Sequence, residues 1–177
     1  MIIIPAKHFK RVPVPRQVDL VVLHSMEMDE KPGTARQCAE WFALGKKEVS
    51  AHYCVDADEV VKCLDEDAVA WAAPGANSNG VHIEMAGRAS QSFMEWMDAY
   101  SKETLLRAIE LTADICRRHS IPAQLVDVSG LIHGRRGITT HAAVAIAFRK
   151  STHTDPGKDF PMTWFVGRVA ELVNGGA

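Results

Sequence analysis

Neither sign of charge dominates this sequence. Its 20 lysines and arginines stand against 22 aspartates and glutamates, for a formal charge of -2. Without a basic excess there is no electrostatic footprint for nucleic acid or an anionic membrane surface, because binding to either rests on neutralised phosphates. Paired cysteines are also missing. Cys38, Cys54, Cys63 and Cys116 are scattered, and such a pattern reads as free thiols serving as small buried hydrophobes in a reducing compartment. Long apolar runs are lacking too. Met1 to Pro5 is too short for the h-region of a signal peptide, and Asp or Lys interrupts every longer stretch, which argues against export by its own signal and against membrane insertion. The chain is therefore expected to be cytoplasmic as synthesised. With no repeats, low-complexity tract or linker, residues 1–177 are expected to form one domain, long enough to bury roughly 70% of the surface of the unfolded chain.

The pattern along the chain is that of an α/β protein. Residues 1–17 read as an extended arm, since Pro5, Pro13 and Pro15 remove backbone donors and disfavour helix before them. Val18 to His24 is a β-branched and leucine run of the kind a strand buried on both faces requires. A helical pattern then runs from Thr34, the expected N-cap, to Leu44, with Cys38, Trp41 and Phe42 on its apolar face and Gly45 as its stop. Ser50 to Val55 and Val60 to Leu64 flank four turn-forming residues and predict a hairpin. The loop Trp71 to Gly80 leads into Val81 to Met85, where period two places His82 and Glu84 together, opposite Val81, Ile83 and Met85. Ser101 is the expected cap of a helix that ends at Ser120-Ile121-Pro122. Gly130 to Gly137 reads as irregular, and two further helices are expected, over about 140–148 and 160–173.

The densest chemistry lies between Gly137 and Pro161, where His141, His153 and Asp155 fall within fifteen residues. Imidazole nitrogen suits zinc and carboxylate oxygen can complete the set, so the pattern allows a three-ligand site with the fourth position left for water. His24, ending a buried strand, stands where α/β folds place active groups. A strand-end His, a loop His, a loop Asp and the strand-borne Glu84 would together compose metal ligands and a general base. Cys54 with His52 two residues before it is the alternative nucleophile and base, on one face of one strand.

The ordered set Val-Val-Leu-His-Ser-Met-Glu, Ser-Ala-His-Tyr-Cys-Val-Asp, Ala-Trp-Ala-Ala-Pro-Gly-Ala-Asn, Ile-Glu-Met-Ala-Gly, Gly-Ile-Thr-Thr-His and Thr-His-Thr-Asp-Pro-Gly, spread from about Ile4 to Trp164, resembles the zinc-dependent N-acetylmuramoyl-L-alanine amidases of the amidase_2 family. These are related to the peptidoglycan-recognition proteins, and the likeness is closest to the amidase modules of bacteriophage endolysins. The resemblance implies a central mixed β-sheet flanked by helices, with one zinc ion at one face. It implies that His24, His141 and Asp155 bind that zinc and that Glu84 is the catalytic acid/base. His153 then matches the place where many members carry a lysine or threonine that steadies the oxyanion.

Two departures stand out. Ala51 occupies a position where some relatives have a catalytic tyrosine, and Ala72 follows Trp71 where relatives often have Trp-His. Substrate contacts are then expected from His52, Trp71 and His82, or from His133.

The implied substrate is peptidoglycan or its soluble muropeptides, cut at the amide between the muramic lactyl group and L-alanine, with neither nucleic acid nor a protein partner involved. If the chain is an endolysin, another protein must release it to the host wall. A cytosolic recycling amidase acting on anhydromuropeptides, and a non-catalytic peptidoglycan-binding module, are the alternatives within the same fold.

Overall fold

Four strands lying side by side in parallel, or nearly so, set the frame. The computed structural model describes residues 1–13 and 16–175, so positions 14 and 15 of the expected arm lie outside the described residues. Strand β1 (Ile2–Ile3) is followed by β2 (Leu20–Ser25), helix α1 (Thr34–Leu44), β3 (Tyr53–Val55), β4 (Val60–Lys62) and β5 (Gly80–Met85). After these come α2 (Phe93–Trp96), α3 (Ala99–His119), α4 (Val128–Ile132), β6 (Gly137–Thr140), α5 (His141–Phe148) and α6 (Met162–Asn174). The sheet order is β1-β4-β3-β5-β2-β6. Strands β3, β5, β2 and β6 run parallel, β4 is antiparallel to β3, and β1 is parallel to β4. The arm thus contributes an edge strand, Ile2 pairing with Val61.

The two faces of the sheet are covered differently. Val21, Leu23, Tyr53, Val55, Val81, Ile83, Met85 and Ile138 form one continuous core with Leu105, Ile109 and Cys116 of α3 and Phe165 and Val169 of α6. Trp96 closes this core edge-on to Phe160, with ring centroids 5.1 Å apart. The opposite face carries two separate clusters. Ala35, Cys38 and Phe42 of α1 pack on Cys54 and Val61, while Val126, Leu131 and Val144 pack on Leu20 and Val22. Among the described residues, no helix bridges these clusters above the ends of β5 and β2. All four cysteines are free and buried, as their spacing suggested.

Several boundaries differ from the sequence pattern for local reasons. Gly33, left-handed at φ 80°, precedes α1, and the Thr34 hydroxyl donates to the carbonyl of Asp29 instead of capping. The acceptor for that helix end is Asp56, whose Oδ2 receives the Ala35 N–H at 2.9 Å while its Oδ1 receives those of Asp58 and Glu59. One hairpin-turn carboxylate therefore fixes both the turn and the helix. Asp98, not Ser101, caps α3, accepting the Ser101 N–H at 2.9 Å. The stretch expected to be irregular holds α4, capped by Asp127, and the start of β6. With one large apolar residue, Ile138, β6 is too short to show a period.

Glu66 ties the end of the sheet to α3. Its carboxylate accepts from Tyr53 Oη at 2.6 Å and Arg118 Nη2 at 2.6 Å, and it meets His119 Nε2. Burial alone would push its pKa up, but the hydrogen bonds from Arg118, Tyr53 and His119 outweigh that and hold it near 2. A carboxyl depressed in the folded state stabilises the fold above its unfolded pKa, and the contribution is lost as pH falls from about 4.5 to about 2. Glu66→Gln is accordingly expected to lower neutral-pH stability by on the order of 3 kcal/mol. The gap from wild type should close across that acid window, as followed by urea unfolding at stepped pH.

Candidate active site

Strand register assembles the site. His24 of β2 lies directly opposite Glu84 of β5, and Glu84 lies opposite Cys54 of β3. On the other side Leu23 pairs with Thr140, so the next residue, His141, emerges level with His24. Side chains in register across parallel strands share a face, and this face is the one left open between the two smaller clusters. Thr140 ends β6 and caps α5, its Oγ1 accepting the Ala143 N–H at 3.2 Å. His141 is therefore the first residue of a helix and not a loop residue. Asp155 is brought in by the segment after α5, its backbone carbonyl accepting the Ala142 N–H at 2.9 Å. Only glycine fits just beyond: at Gly157, with φ 102°, a Cβ would stand 2.1 Å from the carbonyl oxygen of Ala89.

Three ligand atoms converge. His24 Nδ1 is 3.1 Å from His141 Nδ1 and 3.1 Å from Asp155 Oδ2, and His141 Nδ1 is 3.3 Å from the same oxygen. Zinc bonds of about 2.0–2.1 Å at tetrahedral angles place neighbouring ligands roughly 3.3–3.4 Å apart, close to the edges of this triangle. The three residues can hold a metal ion. Burial would raise the Asp155 pKa, yet the hydrogen bonds of His141 and His24 outweigh it and hold the carboxyl ionised, well below its usual range. Burial lowers the pKa of His24, opposed by Asp155, favouring the neutral ring a metal requires.

Glu84 sits beside this triangle with Oε2 fully buried and without a protein partner. Burial, reinforced by Cys38 and Asp155, raises its pKa well above the ordinary value. His153 stands at the rim, with 61% of its side chain exposed; its ring stacks on that of His141 at 4.2 Å and its Nδ1 lies 3.3 Å from Asp155 Oδ1. All five residues line one cleft of about 520 Å³, within the usual range for small-ligand sites. Its other walls include Trp71, Met26, Met28, Trp41 and Phe42. Trp41 was expected to face inward from α1 but is 40% exposed at the cleft. The methionines gave no periodic signal, because they follow β2 in a loop.

Two expected substrate contacts are corrected. His52 and His82 are fully buried and neither lines the cleft: His52 lies just before β3, and His82 two residues before Glu84 on β5. His52 is a structural residue: its Nδ1 accepts the backbone N–H of His82 at 3.0 Å and its Nε2 lies 3.1 Å from the carbonyl of Ala68. Burial brings its pKa down to about 3, so the ring is neutral. His133 is exposed at the end of α4, bonded to Ser129 O, and is likewise absent from the cleft.

With the geometry described, comparisons with known proteins place the chain. Residues 14–158 match the family Amidase_2, N-acetylmuramoyl-L-alanine amidase. The chain belongs to this family, and it is an amidase directed at peptidoglycan. Similar solved structures include the Staphylococcus aureus hydrolase AmiA in complex with its ligand, with TM-score 0.69 and 15% identity over 90% of this chain and 74% of that one. The N-acetylmuramoyl-L-alanine amidase LysC from Clostridium intestinale has TM-score 0.61 and 15% identity, covering 94% and 96%. A mutant endolysin from Bacillus subtilis has TM-score 0.63 and 15% identity, covering 95% and 97%. At such identities the likeness establishes the fold. A comparison with curated protein sequences returns no match.

Nucleophilic catalysis by Cys54 does not fit the geometry. The thiol is fully buried, 3.8 Å from Cys63 Sγ, and burial raises its pKa, so little thiolate is available. Cys54→Ala is expected to retain hydrolysis of peptidoglycan, measured as turbidity loss of purified cell walls, and loss of turnover with an intact fold would restore the cysteine mechanism.

Proposed function

We propose that His24, His141 and Asp155 hold one zinc ion and that Glu84 is the general acid/base for cleaving the amide between the N-acetylmuramic lactyl group and L-alanine. The observation that carries this reading is the triangle of ligand atoms with edges of 3.1–3.3 Å, set beside a buried carboxylate. A zinc ion held by these three residues would supply a Lewis acid for the carbonyl and a water whose pKa is lowered from about 16 to about 7. Glu84 in its carboxylate form, made more basic by burial, would accept a proton from the attacking water and return it to the departing nitrogen. The C–N bond breaks, leaving the lactyl carboxylate and the free amine of L-alanine. His153, exposed at the rim, faces the developing oxyanion, a type of contribution worth roughly 3 kcal/mol or about a hundredfold in rate. Trp71 and the apolar wall of Met26, Met28 and Trp41 hold the substrate beside these groups.

The whole chain, 1–177, is read as one amidase domain that acts as an endolysin: made in the cytoplasm and released to the wall by another protein. The similar Bacillus subtilis endolysin supports that reading. None of the helices in the described residues is long and apolar enough to cross a membrane.

Glu84→Gln is expected to keep the fold and one zinc per chain while losing turnover by 10²–10⁴-fold; turnover near wild type would remove Glu84 as the base. Metal analysis of purified variants should find zinc lost from His24→Ala and Asp155→Ala but retained by His153→Ala, and the reverse pattern would reassign the ligands. Mass analysis of digested walls should show free stem peptides and intact glycan, abolished by chelator. Preference for soluble anhydromuropeptides over polymer would instead mark a recycling enzyme.

A further inference from the structure

His82 has no place in the chemistry described so far, yet it is a fully buried histidine in the middle of a central strand. Its ring makes one hydrogen bond among the described residues: Nδ1 lies 3.1 Å from His24 Nε2. Its other ring nitrogen, Nε2, is buried with no partner. The fold makes room for this ring. Gly80 is two residues back on the same face, and a Cβ there would stand 3.1 Å from His82 Nε2 and 2.7 Å from the carbonyl of Ala76. The ring of His52 stacks beneath at 5.7 Å, nearly parallel, and its Nδ1 fixes the His82 backbone by accepting its N–H. An apolar side chain would fill this position with no orphaned nitrogen, so packing alone does not explain a histidine.

We propose that His82 is a positioning residue for the metal centre, fixing the ring orientation and tautomer of His24. This rests on the zinc reading above. For His24 to present a lone pair at Nδ1, toward His141 and Asp155, its proton must sit on Nε2, and the acceptor aimed at that proton is His82 Nδ1. His82 then carries its own proton on the unpartnered Nε2. Without it, His24 can take the other tautomer, with a proton on Nδ1 where the metal must bind. Partners that orient a metal-bound histidine in this way typically account for 10–100-fold in metal affinity.

The test measures zinc affinity of the full chain by competition with a chelator, together with the melting temperature of the metal-free protein. His82→Leu is expected to bind zinc 10–100-fold more weakly, while its metal-free melting temperature stays level or rises. His82→Asn, whose Oδ1 stands where His82 Nδ1 stood, should return affinity to within a few-fold of wild type. His82→Ala serves if leucine does not fold. Wild-type affinity in His82→Leu would overturn the inference. So would a weakened site that asparagine does not restore and that follows a fall in the metal-free melting temperature, the mark of a structural residue. His24→Ala is the separate control: if it binds zinc like wild type, the metal assignment itself has failed, whatever the His82 variants do.

Discussion

The register of the four parallel strands is the constraint on which the rest depends. His24 pairs with Glu84, Glu84 with Cys54, and Leu23 with Thr140. One level therefore presents a histidine, a carboxylate and the first residue of α5 to the same open face. The side-chain period of a strand is two, so a slip of one residue in β2 would turn His24 into the core beneath α3 and bring Leu23 to the cleft. That error is opposed by the apolar trio Val81, Ile83 and Met85 and by Val21 and Leu23, all fully buried. A slip of β2 would take Val21 and Leu23 out of the core they share with that trio, at a cost of up to about 1.5–3 kcal/mol per side chain. The hydrophobic effect on one face thus sets the geometry of the polar groups on the other.

Two of the carboxylates lining the cleft, Asp155 and Glu84, are pushed in opposite directions by it. Asp155 receives hydrogen bonds from two histidines that outweigh its burial, and it stays ionised. Glu84, with Oε2 buried and unpartnered, has nothing to offset burial and is raised. A divergence of this kind fits the proposed roles, the depressed acid as a ligand and the raised one in proton transfer. A bound divalent cation would favour the ionised form of both, but Asp155 already sits within the triangle and would feel it more strongly. The difference therefore arises from the protein's own hydrogen bonds.

The sequence showed the core strands because parallel strands buried on both faces read as nearly continuous apolar runs, and Val18 to His24 is such a run. It showed the α1 stop at Gly45 and the hairpin around residues 56–59 because turn chemistry is local. It did not show that Asp56 caps α1, since the acceptor and the helix lie 21 residues apart. Nor did it show β6, whose position in the sheet comes from β2 and not from its own composition. Glu84 was visible as a polar residue in an apolar strand, and so was His82, but pattern alone could not tell cleft from interior. Both occupy one face of β5. Two residues of rise, roughly 6.6 Å, separate a group that lines the cleft from one that only touches His24 from behind.

That short distance also explains why the face is divided. A cleft at the ends of β5 and β2 requires that no helix cross it, so α1 and the α4–α5 pair each cover only part of the sheet, with small cores of their own. Such cores supply less burial than one continuous layer. The same face must also accommodate the buried rings of His24, His52 and His82, the last with its Nε2 left without a partner among the described residues. The compensating apolar burial lies on the opposite side, where α3 runs for 21 residues and packs with α6 in one core with residues of β2, β3, β5 and β6. The long helix farthest from the chemistry is in this sense what permits it, because it lets the open face carry polar groups that a symmetric sheet of this size could not tolerate.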